Sequence, residues 1–339
     1  MRDQRHTVVL VTSGAAAAGR SRLALTAGRK DVPAKQVLAS VGQSVLMHMY
    51  EELFRPYGIT VAQTLLTKRD LADRQGYLNT RNTLLALLEL DVLPIVNEND
   101  VTAVDELRLG DNDNLSAMVA NVIDADLLVL LTDTGGLYTA DPRIDAAAQL
   151  IPDVYEIDTG IEKAAGVTRT RHGTGGMATK LQAARGAMRW GTTMVICQGN
   201  TPDILLRVLL GEKVGTTFHP SGTGMESRKR WLASGLASKG ELTLDSGAIV
   251  AIAERGKSLL PAGIRHVHGR FTRGDAVHLR DGNGRVIACG LSNYDASDAT
   301  IIAGRRSDEI ETLLGYTFGP ELVHRNNLVM LNRLSPDHV

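Results

Sequence analysis

Residues 92–100 read VLPIVNEND. The run from Val92 to Val96 is continuously apolar, without the alternation of a strand that has one wet face, so it suits a strand covered on both sides, as in a parallel sheet. The four residues that close it, Asn97, Glu98, Asn99 and Asp100, are all amides or carboxylates. In an open parallel sheet ligands bind outside the carboxyl ends of the strands. This one stretch therefore suggests both a fold class and the edge of the sheet on which a site belongs.

The same grammar repeats on either side of it. Short apolar runs at 8–11, 60–66, 126–131 and 193–197 alternate with helical patterns at 36–54, 80–90, 115–123 and 177–189, and nearly every run ends in a polar or glycine-rich turn. Within 36–54, Val37, Val41, Val45, Met49 and Leu53 keep to one helix face. The expected fold class is α/β, an open, mostly parallel sheet sandwiched by helices, over residues 1–219. At 220–238 the texture changes to PSGTG and then RKRW, which reads as a linker with a basic patch. Short segments follow at 241–244, 248–253, 276–279 and 286–290, separated by glycine-containing turns such as DGNG at 281–284. They predict a small β-rich domain over 239–325 with a short helix at 307–314.

Composition narrows the classes of function. The chain has 339 residues, 37 basic and 38 acidic, with 43% hydrophobic and 4% aromatic positions. At roughly 100 to 200 residues per domain this is a two-domain length. A net charge of −1 gives no long-range field for nucleic acid or an anionic membrane. The second domain is balanced as well, so nucleic acid is not an expected partner, and few aromatic rings are on hand for stacking bases. Residues 8–11 are too short an apolar run for a signal peptide, and no stretch approaches the roughly 20 apolar residues of a membrane span. Cys197 and Cys289 lie far apart without metal-ligand spacing, so they read as reduced, buried thiols of a cytoplasmic protein.

Four turns at strand ends hold the candidate chemistry. Thr12-Ser13-Gly14 is small enough for close backbone approach, with Ser13 a donor to a carboxylate or phosphate, although a tight helix cap uses the same residues. The acidic and amide turn at 97–100 is followed by GDNDN at 110–114, more polar groups than turns alone require. Their spacing does not match a calcium-binding loop, so the carboxylates are expected to bind an amino group or orient lysines. The third turn is LTDTGGLY at 131–138. The fourth is GTGGMATK at 173–180, where glycine-rich backbone amides at a helix start form an anion site and Lys180 adds a positive charge for phosphates. It is neither a Walker A loop nor a GxGxxG turn.

Taken together, VTSGA at 11–15, VNEND at 96–100, GDNDNLSA at 110–117, LLTDTGGLYTADPR at 130–143 and GTGGMATKLQAA at 173–184 resemble the glutamate-phosphorylating branch of the amino acid kinase family. ERGKSLLPAGI at 254–264 and ETLLGYTFGPELVHR at 311–325 resemble the PUA domain at the carboxyl end of that branch. The resemblance implies phosphorylation of the L-glutamate 5-carboxylate by ATP with Mg²⁺, on the route to proline, with feedback by proline and a homo-oligomeric enzyme. It implies that Ser13, Asp100 and Asn112 bind glutamate, Asp100 suiting its ammonium group. Thr132, Asp133, Thr174, Gly175, Gly176, Met177, Ala178, Thr179 and Lys180 would bind ATP, with Lys180 on its phosphates. Asp113 corresponds to the aspartate that orients the lysines.

One departure stands out. The family opens on a strand ending in a Lys-x-Gly-Ser or Lys-x-Gly-Thr turn, and nothing like it precedes Val8. The first domain is thus expected to be short of one strand, turn and helix. Three readings stay open on the sequence: an active kinase, a shortened chain that binds glutamate, nucleotide or proline without turnover, and RNA binding through the second domain.

Overall fold

The computed structural model describes residues 6–23, 32–103, 112–166, 176–220, 222 and 238–331. Contacts divide the chain into two units, Met1–Gly224 and Met225–Val339. Within the expected linker at 220–238, only Pro220, Gly222 and Ser238 are among the described residues.

The first unit runs β1 (Leu10–Val11), α1 (Ala15–Arg22), α2 (Val32–Phe54), β2 (Val61–Leu66), α3 (Lys68–Ala72), α4 (Arg74–Glu89), β3 (Leu93–Glu98), α5 (Asn112–Ile123) and β4 (Leu127–Thr132). It continues through β5 (Asp153–Val154), α6 (Thr159–Ala164), α7 (Met177–Trp190), β6 (Thr193–Gln198), α8 (Ile204–Leu209) and β7 (Thr216–Phe218). The five apolar runs all form strands, shifted by a residue or two from the expected ends. Their ladders are two. One has the order β1-β3-β2 and is all parallel, with Leu10 opposite Ile95 and Val61 opposite Leu93. The other has the order β4-β6-β7-β5, with β4 parallel to β6, β7 antiparallel to β6, and β5 parallel to β7. Helix α5 serves both: Leu115, Val119 and Val122 pack with Val96, Leu66 and Leu84, while Ala117 packs with Leu130, Leu181, Ile196 and Phe218. Among the described residues β1 and β4 are end strands, and Leu131 of β4 is 50% exposed although its sequence suits a strand covered on both faces.

Caps and one buried cation set the helix ends. Thr67 and Asp70 form a capping box on α3, and Asp73 accepts from the Gly76 amide at the start of α4. Arg81 of α4 is 1% exposed, donates to the Val122 carbonyl and bonds Asp124 at 2.7 Å, so α4 is tied to the end of α5. Burial holds its guanidinium below the usual value.

The second unit is β8 (Gly240–Leu244), α9 (Ser246–Ala253), β9 (Ile264–Gly269), β10 (Ala276–Arg280), β11 (Val286–Leu291), α10 (Ala296–Ile302), α11 (Ile310–Leu314) and β12 (Leu328–Met330). Its sheet has the order β12-β11-β10-β8-β9 around Leu242, Leu244, Val277, Leu279 and a fully buried Tyr294. Two details differ from the sequence expectation. Residues 248–253 lie in a helix, because Asp245 caps it through the Ala248 amide at 2.7 Å and a short apolar run carries no period of its own. Strand β9 escapes a hydrophobic reading because its Arg and His side chains are exposed. Both cysteines are free and buried, and burial pushes both thiols up. No helix among the described residues is long and apolar enough to cross a membrane.

Helix α2 brings a correction of facing. The predicted apolar stripe is turned outward: Val37, Val45, Met49 and Leu53 are exposed, and Leu38, Ala39, Gly42, Gln43 and Leu46 are buried. Periodicity identifies a face without saying which side it takes, and here backbone clearance decides. Helix α1 crosses α2 so closely that a Cβ on Gly42 would lie 1.7 Å from the Ala15 carbonyl oxygen, and one on Gly19 would lie 1.9 Å from that of Leu38. Only glycine allows that approach. Gly42→Ala should therefore force α1 and its preceding turn away from α2, at a cost of about 1–3 kcal/mol. The expected fall in thermal midpoint is several degrees, and an unchanged melting curve would contradict the close crossing.

Candidate active site

The turns after β1 and β3 and the head of α7 meet at the amino-terminal end of α5. The ladder continues one residue beyond β1, where the Thr12 amide donates to the Val96 carbonyl at 2.8 Å. Ser13 follows, exposed, and Gly14 at φ 100° turns the chain into α1 in a conformation that favours glycine. The Thr12 side chain is held from behind by Tyr50 of α2, Oγ1 to Oη at 2.6 Å. At the end of β3, Asn97 is 2% exposed and Asp100 is half-buried in the turn beyond.

Asn112, at the start of α5, gathers these pieces. Its Nδ2 donates to the Thr12 carbonyl and to Asn97 Oδ1, the latter at 2.9 Å. Asn97 Oδ1 also accepts from the Glu98 amide at 2.8 Å, and Asn97 Nδ2 donates to Gln43 Oε1 of α2 at 2.9 Å. A small polar pocket wall results, in which the sequence-predicted Ser13 turn and Asn112 are side by side although 99 residues apart in the chain.

The next residue faces another way. Asp113 Oδ2 accepts from Lys180 Nζ of α7 at 2.8 Å and from Thr179 Oγ1 at 3.2 Å. The side chains of Asp113 and Lys180 are only 18% and 15% exposed, so the charge pair is largely withdrawn from water, where an ion pair is worth more than at a surface. Helix α7 begins at Met177 with Gly176 as N-cap, a residue with no side chain to cap its first amides, and the positive end of the helix lies beside Lys180. Met177, Ala178 and Thr179 stand on that first turn. Thr174 and Gly175 lie outside the described residues.

Thr132 and Asp133 occupy the carboxyl end of β4. The Thr132 hydroxyl donates to Asp133 Oδ1 at 3.1 Å, its carbonyl accepts from Gly199 at 2.9 Å, and Asp133 meets Arg143 at 3.8 Å with both side chains well exposed. The turn after it is tight: a Cβ on Gly136, at φ 151°, would lie 2.6 Å from Thr216 Oγ1. Among the described residues no group of three or more His, Cys, Asp or Glu side chains is arranged to hold a metal ion.

Sequence reading missed Gln43, Tyr50 and the central part played by Asn97. The signal for Gln43 was present as a carboxamide on the small-residue face of α2, between Gly42 and Leu46, but that face could be recognised as buried only once α1 was in place.

Residues 1–198 match the amino acid kinase family and residues 240–314 match the PUA domain. A glutamate 5-kinase of Dehalococcoides mccartyi is 54% identical over 327 residues, 96% of this chain and 88% of the relative. Those of Herpetosiphon aurantiacus and Moorella thermoacetica are 51% and 52% identical, over 97% and 96% of this chain and 89% and 86% of the relatives. The order of the strand-end turns, the Asp113–Lys180 pair and these likenesses agree, and the chain belongs to the amino acid kinase family, in the branch of the glutamate 5-kinases.

Proposed function

We propose that the protein transfers the γ-phosphoryl group of ATP to the 5-carboxylate of L-glutamate, giving L-glutamyl 5-phosphate on the route to proline. Identity of about half over nearly the whole chain to glutamate 5-kinases supports the reaction. The observation that carries it at atomic level is the pair of consecutive residues at the head of α5, Asn112 on the acceptor turns and Asp113 on the phosphate lysine.

The chemistry suits these groups. A carboxylate is ionised at neutral pH, so the nucleophile requires no general base, and the barrier lies in bringing two anions together. Asn112, Ser13 and the Asp100 turn would hold glutamate, with Asp100 toward its ammonium. Lys180, fixed by Asp113 and Thr179, and the first amides of α7 would neutralise charge on the transferred phosphoryl group. Thr132 and Asp133 would flank the nucleotide. In this reading Mg²⁺ enters as part of the substrate, on the ATP phosphates. Proline, which shares the α-carboxylate and amino nitrogen of glutamate, would compete at the acceptor turns. A cytoplasmic location fits the buried reduced thiols.

A second reading is binding of glutamate and nucleotide without transfer; among the described residues β1 and β4 are end strands of their ladders. Purified 339-residue protein separates the two. Kinase action is expected as ADP release that depends on glutamate, and binding of both ligands with no such release would support the second reading instead. Given turnover, Asp113→Asn should lower kcat about 10²-fold, since it leaves Lys180 without its anchor, while the KM for glutamate changes little. Equal falls in glutamate affinity and kcat would place Asp113 elsewhere in the mechanism.

The outward ridge of Val37, Val45, Met49 and Leu53 on α2 supports a homo-oligomer, because a row of apolar side chains on one long helix is stable in water when covered. Val45→Asp at its centre should reduce the solution mass measured by light scattering, and an unaltered mass would move the interface off this helix.

A further inference from the structure

We infer that Gln43, in the interior of α2, is a positioning residue for glutamate, acting through Asn97 on Asn112; the assignment rests on the glutamate-kinase reading above. Gln43 is 9% exposed. Its neighbours on the buried face of the helix are Leu38, Ala39 and Leu46, so an apolar side chain would suit the site as packing. Instead a carboxamide is buried there, and its Nε2 has no hydrogen-bond partner among the described residues. An unsatisfied buried donor costs about 1–3 kcal/mol. A position occupied for stability alone would not keep that cost.

What Gln43 does is hold the acceptor of Asn112 in place. Its Oε1 accepts from Asn97 Nδ2 at 2.9 Å, so that with the Glu98 amide on Oδ1 the Asn97 carboxamide is held from both ends. Asn97 Oδ1 is thereby held to receive Asn112 Nδ2, at 2.9 Å, and the Glu98 amide, at 2.8 Å. Asn112 Nδ2 spends its other hydrogen on the Thr12 carbonyl. Both hydrogens are then directed into the protein, and the side on which Asn112 presents Oδ1, its acceptor, is set. An acceptor so placed favours the ammonium group of an amino acid, whereas a reversed amide would offer N–H to that cation. The Thr12 carbonyl and the Glu98 amide fix which ends of Asn112 and Asn97 point inward, and what Gln43 adds is the position of Asn97: without it Asn97 Nδ2 loses its partner and the acceptor that holds Asn112 Nδ2 is free to shift.

The test is glutamate binding, measured by calorimetry on the full 339-residue protein with L-glutamate as the probe and ADP binding measured in parallel. Gln43→Met keeps the side-chain length and removes the acceptor; glutamate should bind about tenfold more weakly while ADP affinity stays within twofold. The thermal midpoint should change little, since the orphaned Gln43 donor is exchanged for an unpaired Asn97 Nδ2. Gln43→Glu retains an acceptor at the same place and should recover most of the lost affinity. If Gln43→Met disturbs packing, Gln43→Leu repeats the measurement with a second shape. Unchanged glutamate binding by the Met and Leu variants overturns the assignment alone, as does parallel loss of glutamate binding, ADP binding and stability. Failure of the unaltered protein to bind glutamate overturns the functional reading on which the assignment rests.

Discussion

The ion pair between Asp113 and Lys180 ties α5 to α7 at the one point where the two ladders of the first unit share a helix. Both charges are more than four-fifths withdrawn from solvent, so each offsets part of the desolvation cost of the other. The pair is therefore a constraint on packing as well as a piece of the site. Small residues make it feasible: Ala117 on α5 and Ala183, Ala184 and Ala187 on α7 join one core and keep the helices near enough for a carboxylate and an ammonium to meet at 2.8 Å.

Much of this was legible in the sequence, for definite physical reasons. Continuous apolar runs mark strands covered on both faces, and polar groups beyond what turns require mark a ligand edge; both signals are local. Hence Ser13, Lys180 and the loops at 97–100 and 110–114 could be singled out before any contact was known, while Asp100, Asn112 and Asp113 were picked from those loops by the family resemblance. The outward stripe of α2 was not legible, because Val37, Val45 and Met49 look as core-like as Leu38 and Leu46 until the approach of α1 over Gly42 is seen. The amide relay escaped for the same reason. Gln43, Asn97 and Asn112 come from α2, β3 and α5, and a hydrogen bond across 54 residues leaves no local pattern. The two-ladder arrangement is a further non-local result: β4 reads as an interior strand yet lies at an end, with Leu131 half exposed.

The site also explains why no histidine or serine–histidine pair is needed. For an acceptor that is already an anion, a base would add nothing, and the protein's task is to hold like charges at close range against their repulsion. In the proposed reaction, amides beside Asp100 on the acceptor side and a cation with helix amides on the donor side would divide that task. An asparagine can orient a carboxylate or an ammonium without adding to the repulsion, while Lys180 and the head of α7 would act where charge is greatest.

Consecutive positions on a helix point about 100° apart, so Asn112 and Asp113 serve two neighbouring sites from a single rigid element. Asn112 is bonded to the β1 and β3 turns, and Asp113 to α7. In the proposed reaction the distance between acceptor and donor subsites would then be set by one peptide unit of a helix rather than by the sum of several loops. In-line transfer is sensitive to displacements of about 1 Å, which can cost about 10²-fold in rate. Placing the two contacts on adjacent residues lets any shift of α5 move acceptor and donor together, preserving their separation when the surrounding loops change.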